Sequence, residues 1–431
     1  MHVQMHRFLP LLFFFSWPLI FLRDNHPPVH HASDLHPIVL LPGHTCSQLR
    51  AQLTYEYDET SAAPSCGARK GKGWFRLWEN YTALQDPALV PCYAEQLRLV
   101  FDPVAGDYRN VKGVDTRVVS FGTTSGFGSD DPAQKNHCMR KLVGALKGVG
   151  YKEGQNLFGA PYDFRYAPAP LGQDARQFSY FVSSLRVLIE RATETNGNKP
   201  VILVTHSYGG LTAMNFLNEN ALWWRERYIK HFIMVSTGAG GIVAPLRNLA
   251  SGISYCQSSR VDVLSFKNTS RSFASVFSAL PSPKVFGNTP LVITQAKNYS
   301  AYDIPEFLAA IGFSADEVAR YKTRALPVTL NFRAPGVPMT CINGVGVPTV
   351  EKLVYRYGSL HSEPEVVYGD GDGAVNMVSI QALDTVIGDD PDQDYYKSVL
   401  IPNATHAGIL SDAFAVDRVV SEILEASRAI Y

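Results

Sequence analysis

Val201–Gly209 reads VILVTHSYG and runs on into Gly210 and the stretch LTAMNFLNE. Four apolar residues, a Thr-His-Ser-Tyr-Gly bend and an amphipathic continuation spell a buried strand, a sharp turn and a helix start. This is the setting of a nucleophile elbow, G-x-S-x-G. Small flanking residues there let the backbone take a strained conformation that pushes a serine hydroxyl into the open. Ser207 occupies the apex and Gly209 supplies the second glycine, while Thr205 stands where the first is expected. The turn must therefore accept a β-branched residue, and a plain helix-capping serine is the alternative reading.

The same pattern continues outward. Upstream, Phe181, Leu185, Leu188 and Ile189 recur at helical spacing, and NGNKP then punctuates before Val201. Further apolar runs fall at His36–Leu41, His231–Ser236, Met339–Ile342, Glu365–Tyr368 and Ser398–Ile401, each close to Gly, Pro or Asn. Runs that are continuous rather than alternating belong to strands covered on both faces by helices, which predicts a mainly parallel α/β sheet. The stretch 247–287 breaks the rhythm, being Ser-rich with scattered Phe, and reads as a mobile lid insertion.

With 431 residues the chain exceeds one ordinary domain core, so an enlarged catalytic domain or two domains is expected. At 46% hydrophobic and 18% charged it is not a disordered chain. Lys plus Arg equals Asp plus Glu, 39 against 39, and no basic patch stands out, which argues against a nucleic-acid partner. Phe8–Leu22 is a fifteen-residue apolar run behind Arg7, interrupted by Pro10, Ser16 and Pro18. It falls short of the roughly 20 residues of a comfortable membrane span, so residues 1–25 read as a secretory signal or a retained anchor. Entry to the secretory pathway predicts oxidised cysteines and glycans. Six cysteines occur, at 46, 66, 92, 138, 256 and 341, and four sequons begin at Asn80, Asn268, Asn298 and Asn403. Cys66 and Cys92 flank a Gly/Lys-rich stretch followed by WFRLWENY, either a loop stapled at its base or two unrelated thiols.

A serine nucleophile needs a base that is itself oriented by a carboxylate, and the order in this fold is Ser, acid, His. Downstream lie YGDGDGAVN (368–376) and IPNATHAGIL (401–410). Asp372 is the candidate acid, with Asp370 its rival, and His406 the candidate base. A calcium loop is the competing reading of the first segment, but the Glu expected at loop position twelve is missing. The oxyanion donors are read as the backbone N–H groups of Tyr208 and of His44, in the turn after the first strand. No metal or organic cofactor is implied.

IVLLPGHTCSQL, GWFRLWENY, GAPYDFRYAP, THSYGG and YGDGDGAVN, in this order, resemble the lecithin:cholesterol acyltransferase family, which includes lysosomal phospholipase A2. The likeness is strongest to its plant lecithin-cholesterol acyltransferase-like 1 members and covers the chain from about residue 36. It implies an α/β-hydrolase domain over 36–430 with a membrane-binding subdomain over 50–100, a cap and a lid. It also implies a Cys66–Cys92 disulfide and, on the same loop, Trp74, Phe75, Leu77 and Trp78 as membrane contacts, core packing being the alternative. Ser207, Asp372 and His406 match the family's triad, and His44 with Tyr208 its oxyanion pair. The chain departs from the family at Gly238-Ala239-Gly240-Gly241, Ala374, Tyr208 and His44, positions that bear on acyl and acceptor preference. The implied reaction is transfer of an acyl chain from a glycerophospholipid, through an acyl-serine, to an alcohol such as a sterol. The alternatives are a phospholipase A with water as acceptor, and a catalytically weak lipid-binding protein on a hydrolase scaffold. The implied partners are a phospholipid membrane surface and the acceptor.

Overall fold

The computed structural model describes residues 35–58, 64–128, 136, 138–252, 263–356 and 359–430. The N-terminal apolar run and Cys256 lie outside the described residues. The chain enters through β1 (Ile38–Leu41) and leaves on an excursion of β2 (Leu49–Leu53), β3 (Phe75–Trp78), β4 (Leu99–Asp102), β5 (Asp107–Asn110) and β6 (Val114–Val118). It returns with β7 (Leu157–Gly159), β8 (Val201–His206) and β9 (Ile229–Val235). After β10 (Val292–Thr294) and β11 (Asn298–Tyr299) come β12 (Met339–Val345), β13 (Thr349–Tyr355), β14 (Glu365–Gly369) and β15 (Tyr396–Pro402).

The central sheet has the order β15-β12-β9-β8-β1-β7, and every neighbouring pair is parallel. Side chains alternate across a strand, so the sheet feeds two cores. Ile38, Leu40, Ile202, Val204 and Ile233 pack under the helices Arg140–Gly148 and Ala413–Arg428. Val39, Leu41, Val201, Leu203 and Phe232 pack under Arg176–Thr195 and Tyr208–Glu219. Every residue of β8 is buried, and each large aliphatic among them stabilises the fold by about 1.5–3 kcal/mol. Apolar residues on both faces are why these strands read as unbroken runs.

One expectation needs correction. Glu365–Gly369 is a strand, but in a second sheet of order β11-β10-β13-β14, antiparallel to β13 and largely exposed. β7, at the edge of the central sheet, is three residues long, too short to show a period.

The excursion forms the sheet β3-β2-β6 and the hairpin β4-β5. Cys66–Cys92 is a disulfide joining the turn Pro64–Arg69 to the helix Val90–Leu97. A second, Cys46–Cys138, closes a span of 92 residues, and Cys341 is a buried free thiol. Arg165 binds the excursion to the central-sheet core: fully buried, it pairs with Asp163 and donates to Leu97 O, Asn110 Oδ1 and Thr116 Oγ1 at 2.8–2.9 Å. A buried guanidinium tolerates its site only when its donors are met in this way.

A third core joins the excursion to the segment expected as a lid. Phe273, Val276, Phe277 and Leu280 share it with Leu49, Phe75 and Trp78. The described part of 247–287 is largely helical, and Phe273, Phe277 and Phe286 in it are interior residues. Residues 253–262 lie outside the described residues. Among the described residues no helix is long and apolar enough to cross a membrane.

Candidate active site

The carboxyl edge of the central sheet brings together His44 after β1, Ser207 and Tyr208 after β8 and His406 after β15, as an open α/β sheet does with its ligands, and Asp372 reaches them from the turn after β14 of the second sheet, bridged to Val347 just beyond β12. Ser207 follows β8 with φ 53° and ψ −126°, a region costly for a residue with a Cβ, and its N–H is held by Val235 O at 2.9 Å. Gly209 permits the bend, since a Cβ there would meet Pro42 O at 2.5 Å and Leu41 O at 2.8 Å. Thr205, in place of the first glycine, is accommodated by burial and a bond from its hydroxyl to Ile233 O at 3.2 Å. Thr237 Oγ1 donates to Ser207 O and closes the turn from β9's side.

His406 Nε2 lies 2.9 Å from Ser207 Oγ, and its Nδ1 lies 2.9 Å from Asp372 Oδ2. The other Asp372 oxygen accepts from the N–H groups of Ala374 and Val375 at 2.9 and 2.7 Å. Burial pushes this fully buried carboxyl up, but the charge and hydrogen bond of His406, with the two N–H groups, hold it below the usual range. Desolvation pulls His406 down, and the adjacent carboxylate overrides it, leaving the imidazole above its ordinary value of 6.5. An ionised Asp372 fixes the ring hydrogen on Nδ1 and leaves Nε2 to accept from the serine hydroxyl. Asp370 is turned elsewhere, its Oδ1 accepting from Gly346 N and Gly371 N. The acid and base loops are also joined directly, His406 N donating to Asp372 O at 2.7 Å.

Tyr208 is the first residue of its helix, where the N–H has no intrahelical acceptor. Neither it nor the His44 N–H has a hydrogen-bond partner among the described residues. Gly43 brings the second loop close: a Cβ added to it would lie 3.1 Å from Ser207 Cβ. The His44 ring packs edge-on against Phe164 and Tyr208 and reaches Ser275 Oγ at 3.2 Å; desolvation pushes it to about 4, so it stays neutral. Tyr208 OH meets Ser278 Oγ at 2.7 Å.

The aromatic motif is placed differently from a membrane-facing surface. Phe75, Leu77 and Trp78 are buried, and Trp74 is half-buried beneath Arg117 at 4.1 Å. Trp78 faces the site instead: its Nε1–H donates to Thr45 O at 2.7 Å, and its ring packs on Phe164. Tyr162 OH donates to Pro42 O at 3.0 Å on the other side of the same loop. Trp78, Tyr162, Ser275, Ser278 and Thr237 escaped the sequence reading as supports of the site. For Tyr162 the only signal was its place in GAPYDFRYAP.

Residues 74–332 match the family described as lecithin:cholesterol acyltransferase. "Lecithin-cholesterol acyltransferase-like 1" of Oryza sativa subsp. japonica is 43% identical over 92% of this chain and 88% of its own length. "Lysosomal phospholipase A and acyltransferase" of Homo sapiens is 33% identical over 80% of each chain. A solved chain of the Tle4-Tli4 complex superposes with a TM-score of 0.57, covering 92% of this chain and 99% of that one at 13% identity, a likeness of fold alone. On these grounds the chain belongs to the lecithin:cholesterol acyltransferase family, as an acyltransferase or phospholipase of the α/β-hydrolase type.

Proposed function

We propose that Ser207 carries an acyl chain from a glycerophospholipid to an alcohol such as a sterol. His406 takes the Oγ proton on Nε2 as Oγ attacks the ester carbonyl, and the tetrahedral oxyanion is held by the N–H groups of His44 and Tyr208. The carbon–oxygen bond to glycerol breaks, the leaving oxygen collects the proton from His406, and an acyl-serine remains. The acceptor hydroxyl then gives its proton to His406 and attacks the acyl carbon, and Ser207 leaves with that proton restored. Asp372 stabilises the imidazolium formed in each half. Water in place of the alcohol makes the same site a phospholipase A, and relatives carry both activities in their name.

The observation that carries the proposal is the unbroken chain from Ser207 Oγ through His406 to buried Asp372, 2.9 Å at each link. The lipid surface as partner rests on the family. A secretory-pathway location rests on the N-terminal apolar run and the two disulfides, which persist in oxidising compartments.

The test is turnover on phosphatidylcholine liposomes with and without sterol, following free fatty acid and steryl ester together. Steryl ester with little free acid supports transfer; free acid alone supports the lipase. Ser207→Ala is expected to lose about 10⁶-fold in kcat. A wild-type protein that neither turns over lipid nor reacts with a fluorophosphonate at Ser207 would leave only a lipid-binding role.

A further inference from the structure

His206 closes β8 one residue before the serine, and the acyl-transfer steps make no use of it. Its ring is buried between the two other loops of the site. Nε2 lies 2.9 Å from the backbone carbonyl of His406. A carbonyl only accepts, so Nε2 carries the hydrogen and Nδ1 is the bare nitrogen. Nδ1 is buried without a hydrogen-bond partner among the described residues and faces Gly43, where a Cβ would lie 2.9 Å away. The ring lies tilted over that of His406, centroids 5.0 Å apart. The rest of β8 up to Thr205 is Val, Ile, Leu and Val, which fill such space without leaving a polar atom unmet. The donor on His406 is what the imidazole supplies that those residues would not.

We infer that His206 is a positioning residue for the base: from the nucleophile's own strand its ring holds the His406 carbonyl and spaces the Gly43 loop, setting base and oxyanion donor against Ser207 together. His406 N is already tied to Asp372 O, so the second bond fixes the base residue at both of its backbone polar groups. The titratable groups that face His206 are His406 and Asp372. Burial, reinforced by His406, pushes His206 to about 3, so it stays a single, fixed donor while His406 titrates.

The inference rests on the acyl-serine reading, and the test separates the two. His206→Leu fills the space without a donor, His206→Gln keeps an N–H at similar reach, and His206→Asn keeps one that falls short. On phosphatidylcholine liposomes His206→Leu is expected to lose about 10²-fold in kcat, the scale of a small misplacement of a catalytic group. KM and melting temperature should change little, and the acid limb of the kcat profile should move to lower pH as the His406–Asp372 bond loosens. His206→Gln should recover most of the loss and His206→Asn should not. Wild-type kcat in His206→Leu, or equal kcat in the Gln and Asn variants, overturns the inference, and the Gln–Asn comparison decides it even where the Leu variant does not fold. Turnover surviving in Ser207→Ala would overturn the acyl-serine reading instead.

Discussion

The carboxyl edge of the central sheet and the excursion from β2 to β6 both hold loops against Ser207, by different physical means. At the sheet edge the supports are backbone bonds made beside the candidate residues: Val235 on Ser207 N from the neighbouring strand β9, Thr237 on Ser207 O from the turn after it, and Asp372 on His406 N from the turn after β14. The excursion acts at a distance in the chain, through Trp78 on Thr45 O and through Arg165 reaching Leu97, Asn110 and Thr116. In the proposed mechanism the first region carries the chemistry and the second holds still the loop of the proposed oxyanion donor His44. Damage to the first should appear in kcat, and damage to the second first in stability.

The sharpest case is Asp372→Asn. The amide keeps the shape and removes the charge, and kcat is expected to fall roughly 10³–10⁴-fold with the melting temperature changed far less than a core mutation would change it. The pH dependence has a defined sign. Asp372 is what lifts His406 above 6.5 against the pull of burial, so without it the acid limb of activity moves to lower pH. Linkage in the wild type follows the same directions. The raised His406 contributes stability that is full below 6.5 and lost as pH rises through its folded value. The depressed Asp372 contributes stability above its unfolded value, lost as pH falls through the folded one. A pH–kcat profile of the two proteins checks the first, and melting curves across the same range check the second.

The disulfide Cys46–Cys138 tests the border between the regions. Cys46 lies two residues after His44, with its N–H on Gly43 O and its carbonyl on Gly128 N. Replacing both cysteines by alanine opens a loop of 92 residues, worth about 4.6 kcal/mol by chain entropy. The His44 N–H also loses an anchor. Because Trp78 and Tyr162 still hold the loop, kcat is expected to fall about tenfold, less than the 10²–10³ of an oxyanion donor removed outright. Denaturant titration and liposome turnover on one preparation measure both.

The same division explains what could be read from the sequence. The elbow was legible because strand, bend and helix are local, and the order of the triad followed from it. The choice between Asp370 and Asp372 was not, since both occupy one turn and only the fold shows which carboxylate receives the Ala374 and Val375 N–H groups. Cys46–Cys138 joins distant chain positions with no local signal. The aromatic motif left membrane surface and core packing both open because aromatics suit a membrane face and a core equally. Its position under the oxyanion loop, like that of Phe273 and Phe277, is a product of long-range packing. Glu365–Gly369 misled for a related reason: a short run rich in valine does not declare which sheet it joins.

Cys66–Cys92 should give the smallest effect on catalysis. The bond closes a loop of 26 residues, worth about 3.5 kcal/mol in the same chain-entropy terms, so the Ala/Ala variant should melt lower but remain folded. Its strands stay paired through β2-β3 and β2-β6, and neither Trp78 on Thr45 nor Arg165 on Asp163 depends on the sulfurs. Turnover on a soluble ester should therefore stay within about twofold of wild type, against the tenfold expected for Cys46–Cys138. An equal loss in the two variants would mean that the excursion transmits strain to Ser207 as directly as the sheet does, and the division of labour drawn between them would fail.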